Sequence, residues 1–154
     1  MVTRPRRRHG LGRRPRGDAG AVLIETAFVL PLLLLVCVGI FELGRVFQTW
    51  HVVTNASREG ARIAVLPGMD DTKVTDRVRT YLEAGALDKA LTAGVRIVRN
   101  TTISIGSGTA TASRVTVEYP FAFMVLQPVA ELVVRESTVG SAFTMTASTT
   151  MRNE

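Results

Sequence analysis

The sequence predicts an α+β fold: one long amino-terminal helix, apolar in its first half and amphipathic in its second, then a small domain with one helix and a three-stranded antiparallel sheet. Three observations lead there. An apolar run fills residues 21–41, a helical periodicity takes over from 48 to 66, and from residue 95 apolar positions alternate with a period of two.

The apolar run comes first because it accounts for the composition. The chain is 46% apolar with a mean hydropathy of +0.21, more than a small soluble domain needs. Between Ala21 and Phe41 every residue except Glu25 and Thr26 is apolar, Gly or Pro, and that length crosses a hydrocarbon core as a helix. Charge is equally uneven. The net charge of +6 lies wholly in residues 1–20, where Arg4, Arg6, Arg7, Arg8, Arg13, Arg14 and Arg16 face only Asp18. Arginines before a span are retained on the cytoplasmic side, so they set topology: amino end inside, everything after Phe41 outside. A nucleic-acid arm is disfavoured because no basic stripe or aromatic interleaving follows it. Cys37 stands alone within the span, which excludes a disulfide framework or a thiol metal cluster in one chain.

Three kinds of leader precede such a run. A secretory signal needs small residues after it, and Cys37-Val38-Gly39 is a poor site. A twin-arginine signal needs a residue order that neither "RRRHGLG" nor "RRPRGDAG" supplies. The third kind is cut before the run, after Gly20, so that Ala21 becomes the first residue and Glu25 the fifth. A lone carboxylate in hydrocarbon costs about 2.5 to 3.5 kcal/mol on insertion scales, and no Arg or Lys lies within a turn of Glu25. Either the freed α-amino group of Ala21 on a neighbouring subunit pairs with it, or the side chain reaches the headgroups or takes up a proton.

The Gly20-x-x-x-x-Glu25 spacing behind a basic leader resembles the processing site of type IV prepilins and pseudopilins. The longer stretch "LIETAFVLPLLLLVCVGIFELGRVFQTWHVVTNASREGARIAV", Leu23 to Val65, is similar to the TadE family of pseudopilins from the Tad/Flp tight-adherence pilus machinery, through its early Glu, "VLPLLLL", "ELGR" and "TNASREGAR". The closing "TASTTMRNE" is similar more loosely. This resemblance implies a pilin-like architecture, cutting by a prepilin peptidase, and partners among the membrane, other pilins and the Tad machinery. It also implies an assembly role for Pro31, where a helix break would help the segment leave the membrane; a plain kink at Pro31 is the alternative.

Glu42 and Arg45, three residues apart, are expected to pair at the outer edge of the span, worth about 0.3 kcal/mol in an interface, and to mark the membrane exit. Trp50 reads either as an interfacial ring or as a residue packed on the outer domain. Val46, Trp50, Val53, Gly60 and Ala64 approximate one stripe of the outer helix. Ala56, Gly60 and Ala64 offer a close-approach face, against the chain's own domain or against another subunit. Pro67-Gly68 ends this helix.

In residues 67–154, "DDTKVTDRVRTYLEAG" reads as a helix with Asp71 or Thr72 as cap and Gly85 after its end. Strands are expected over Val95–Ile105, Ser113–Met124 and Ala142–Arg152, with Gly106-Ser107-Gly108 as a turn and "VLQPVAELVV" as an irregular or short helical connection. A search for chemistry finds little. His9 and His51 are isolated, no metal-spaced cluster, phosphate loop or nucleophile elbow is present, and neither a cofactor, a small-molecule substrate nor nucleic acid is expected as a partner. The sequence therefore reads as a structural, single-span, peptidase-processed protein. The alternative is an uncleaved bitopic protein whose outer domain binds an envelope partner; a membrane-anchored enzyme is disfavoured.

Overall fold

A computed structural model of the chain describes residues 16–133, 135–136 and 138–153. Arg4, Arg6, Arg7, Arg8, Arg13 and Arg14 of the leader lie outside the described residues, and Arg16 is the first residue of helix α1 (Arg16–Ala64). The chain divides into two compact units, Met1–Cys37 and Val38–Glu154.

In the first unit, every residue from Gly20 to Cys37 is exposed and helical, and α1 continues through Pro31. The helix is long and apolar enough to cross a membrane. Proline removes one backbone donor and is tolerated in such helices when the freed carbonyl finds another partner.

The second unit is α+β, as expected. After the outer part of α1 come α2 (Asp71–Ala84), a 3-10 turn (Ala90–Thr92), β1 (Gly94–Ile105), β2 (Gly108–Phe121), α3 (Leu126–Val133) and β3 (Phe143–Arg152). The strands form one antiparallel sheet in the order β1-β2-β3. One face is covered by helix. Val53, Ala56, Ala61 and Ala64 of α1, Val74, Val78 and Leu82 of α2, and Val115, Val117 and Tyr119 of β2 make the core. The opposite face carries Arg114, Thr116 and Ser148, joined by bonds such as Thr116 to Ser148 at 3.1 Å, as befits a solvated antiparallel face.

Small side chains let α1 lie close to its own domain. A Cβ at Gly60 would stand 2.6 Å from Val78 Cγ2 and 3.1 Å from Val115 Cγ1, so the close-approach stripe is spent on α2 and β2. Ser57 is fully buried; it donates to the Thr54 carbonyl at 2.8 Å, which leaves Thr149 of β3 to donate to Ser57 across 2.7 Å. Trp50 is 45% exposed and Val46 only half-buried, so the buried stripe runs instead through Glu42, Thr49, Val53, Ala56, Ser57, Gly60, Ala61 and Ala64. Because Arg45 lies over Phe121 while Gly60 meets Val115, α1 and β2 run in opposite directions.

Two local expectations are corrected. The cap of α2 is Asp70, whose extended backbone lets its carboxylate accept from Lys73 N at 2.8 Å; Asp71 is already helical. Gly85 follows the end of α2 as expected, and the left-handed residue there is Ala86, at φ 58°. A side chain at Gly85 would collide with Val52, so its glycine is needed for space. Finally, β2 starts five residues early and stops at Phe121 rather than Met124, because the amides of Met124 and Val125 point to Glu42.

Candidate functional site

Glu42 is the organising residue of the second unit's first turn. It is the first residue after the apolar run, yet it is 1% exposed. Its Oε1 accepts from Met124 N at 2.8 Å and Val125 N at 2.6 Å, and its Oε2 from Arg45 Nη1 at 2.9 Å. Burial pushes its carboxyl pKa up, but the two backbone amides and the Arg45 guanidinium outweigh burial and hold it below the ordinary 4.5. The expected Glu42–Arg45 pair forms, in surroundings unlike an exposed interface. Three donors converge on one buried carboxylate, and charge-assisted bonds of this kind contribute about 1.5 to 3 kcal/mol each.

Arg45 carries the contact further. Its guanidinium carbon stands 5.3 Å from the centre of the Phe121 ring, which in turn contacts Phe123 and Phe143 with centroid distances of 5.3 and 5.5 Å. Beside it lies a cleft of about 280 Å³ lined by residues including Arg45, Thr49, Leu87, Lys89, Tyr119 and Phe123. Tyr119 donates its hydroxyl to Asp88 Oδ1 at 2.9 Å and accepts from Lys89 N at 3.3 Å. Burial, then the Asp88 carboxylate, raises the Tyr119 pKa above 10. The Tyr119 hydroxyl is thus held between Asp88 and the Lys89 amide.

At the far end of α1 two ionic clusters fix the corner. Glu59 is shared by Arg62 and Arg77, each at 2.9 Å. The Arg62 hydrogen bond, against burial and with help from Arg77, brings its carboxyl from 4.5 to about 2. Arg99 sits in a bulge of β1 where the register shifts between Val98 and Thr101 and Asn100 takes φ 59°. It donates to the Ala64 and Met69 carbonyls at 2.9 Å and to Asp71 at 2.7 Å, satisfying backbone acceptors past the end of α1.

In the first unit, Gly20 and Ala21 are exposed helical residues and no side chain approaches Gly20 within 4 Å. Glu25 is exposed; among the described residues it has no hydrogen bond or ion pair. Its neighbour Thr26 bonds back to the Val22 carbonyl at 2.8 Å. His51 packs edge-on against Phe47 at 4.3 Å, and among the described residues no three His, Cys, Asp or Glu side chains gather as metal ligands would. The sequence brought out Glu42 and Arg45 but neither the amides that Glu42 holds nor Arg99. An Asn inside a β-branched strand, able to take positive φ, was the available signal for the bulge.

A family model described as "TadE-like protein" matches residues 20–62. That segment opens on Gly20 and contains Glu25, Pro31, Glu42 and Arg45 together with the small-residue face of α1. No match was found among curated proteins or among solved structures.

Proposed function

We propose that this chain is a TadE-like pseudopilin or minor pilin, a structural subunit anchored by residues 21–41 and acting in assembly of a Tad/Flp pilus or related secretion apparatus. The observation that carries the reading is the TadE-like match over residues 20–62, which coincides with a helix apolar and long enough to cross a membrane. Leader arginines would keep the amino end in the cytoplasm and deliver the domain from Glu42 onward to the outside. A prepilin peptidase would cut between Gly20 and Ala21, and the freed amine of one subunit would pair with Glu25 of the next. The motive for that pairing is chemical: Glu25 is exposed on an apolar helix and unpaired among the described residues, and a carboxylate so placed needs a partner.

Co-expression with a prepilin peptidase tests it, read by intact mass. The expected product lacks residues 1–20, and Gly20→Val blocks the cut without preventing membrane insertion, because the span is unchanged. An intact chain in the presence of active peptidase would favour the uncleaved bitopic reading. Glu25→Ala is expected to insert normally and to assemble poorly with pilus subunits, measured by crosslinking between cysteines placed near residues 21 and 25 of adjacent chains.

A further inference from the structure

The end of the apolar run and the entrance to α3 are tied together. Glu42 follows Phe41 directly and accepts from the amides of Met124 and Val125, so the chain entering α3 is fixed at the level where the run stops. Phe143 belongs to the same place, through its contacts with Phe121 and Phe123 and that of Phe121 with Arg45. At this level large apolar side chains face outward from separate elements. Phe41 and Leu43 on α1 are 58% and 66% exposed, Met124 64%, Val129 on α3 37% and Phe143 43%. The described charge of α3 is Glu131, bonded to Gln127 at 3.1 Å, while the Arg45 side chain, next to Glu42, is 29% exposed.

We infer that Met124, the Val129 face of α3 and Phe143 form a second membrane contact, seated in the boundary between headgroups and acyl chains of the outer leaflet. The inference rests on the proposed reading that residues 21–41 span the bilayer. If they do, Phe41 stands at that boundary, and a residue held to Glu42 by a hydrogen bond stands within one side-chain length of it. The occupant that meets every element at this level is the lipid surface. Its boundary accepts apolar side chains on one side and offers phosphates to a cation such as Arg45 on the other. The opposite end of the domain is far away: from Phe121 back to the turn at Ser107, strand β2 extends roughly 45 Å at about 3.3 Å per residue.

The full chain, with Cys37→Ser, is placed in phosphatidylcholine–phosphatidylglycerol nanodiscs. It carries an environment-sensitive fluorophore on a single cysteine from Met124→Cys, Val129→Cys, Ser107→Cys or Leu33→Cys. Nitroxide lipids labelled near the headgroup serve as quenchers. The expected result is blue-shifted emission at 124 and 129, quenched several-fold more than at 107, with the probe at 33 shielded in the acyl region. Water-like emission at both 124 and 129 with a shielded probe at 33 would overturn the inference and leave the span intact. Blue-shifted but unquenched probes at 124 and 129 would mean that protein covers the patch, which also overturns it. An unshielded probe at 33 would overturn the span reading, and the second contact with it.

Discussion

Two stretches of α1 share one backbone geometry and treat their side chains in opposite ways. From Gly20 to Cys37 the helix is bare, with Val22 58% and Leu33 55% exposed, whereas from Glu42 to Ala64 Val53, Ala56 and Ser57 are fully buried. The more apolar stretch is the one left uncovered. Bulky aliphatics all round suit a lipid solvent, which asks nothing of shape, while Ala56, Ser57, Gly60 and Ala61 along one face suit a sheet that must approach closely. Hydrophobicity thus makes the first stretch long and apolar enough to cross a membrane, and side-chain size identifies the neighbour of the second.

Substitutions in the two stretches should therefore differ sharply in their effect on unfolding of the α+β unit. The largest effect is expected at Glu42. Glu42→Ala removes the buried acceptor of two backbone amides and separates Arg45 from its anion, a loss of about 3 kcal/mol in urea unfolding; a change within error would show that these bonds contribute nothing net. Gly60→Val comes next, because branching at Cβ drives into Val78 and Val115. Overpacking of this kind costs about 1 to 3 kcal/mol, and a neutral result would place the stripe away from the sheet.

How far was this division legible beforehand? The alternation of Val115, Val117 and Tyr119 with Thr116 and Glu118 was sufficient for β2, because a strand needs only its own residues to define two faces. The apolar run was equally self-evident. Glu42 is different: besides Arg45, its partners are 82 and 83 positions away and are backbone amides, which leave no mark in side-chain spacing. For the same reason β2 was expected to continue through Met124, whose apolar side chain fits a strand although its amide does not serve one. Hydrophobicity places Trp50 in the stripe, yet the close contact takes Ser57 and Ala61 beside the expected Ala56, all too small to score strongly. Of the junction at Gly20, the sequence displays the spacing and the TadE-like match, while the proposed cutting and pairing would be events between molecules.

A smaller effect is expected at Glu59 and depends on pH. Its carboxyl is depressed from 4.5 to about 2, so its contribution is complete above about pH 4.5 and is lost as pH falls through about 2. Glu59→Gln removes that contribution at neutral pH, and the gap in melting temperature between the two proteins should close on acidification through this window. A gap independent of pH would assign the effect to packing. The smallest effect is expected in the bare stretch, where Leu33→Ala should leave outer-domain unfolding unchanged to within about 0.5 kcal/mol.

The claim that most needs testing is that the outer stretch of α1 is a member of its own domain. Two soluble fragments decide it, one beginning at Glu42 and one at Gly68, compared by thermal unfolding in the same buffer. The second loses Val53, Ala56, Ala61 and Ala64 from the core and the Ser57–Thr149 bond. Full burial of a single valine contributes about 1.5 to 3 kcal/mol, and a domain under about 90 residues without disulfides has little stability to lose. The predicted result is a cooperative transition for the fragment from Glu42 and a much lower, broad or missing one for the fragment from Gly68. Equal melting temperatures would contradict the account and hand the small-residue face to another subunit.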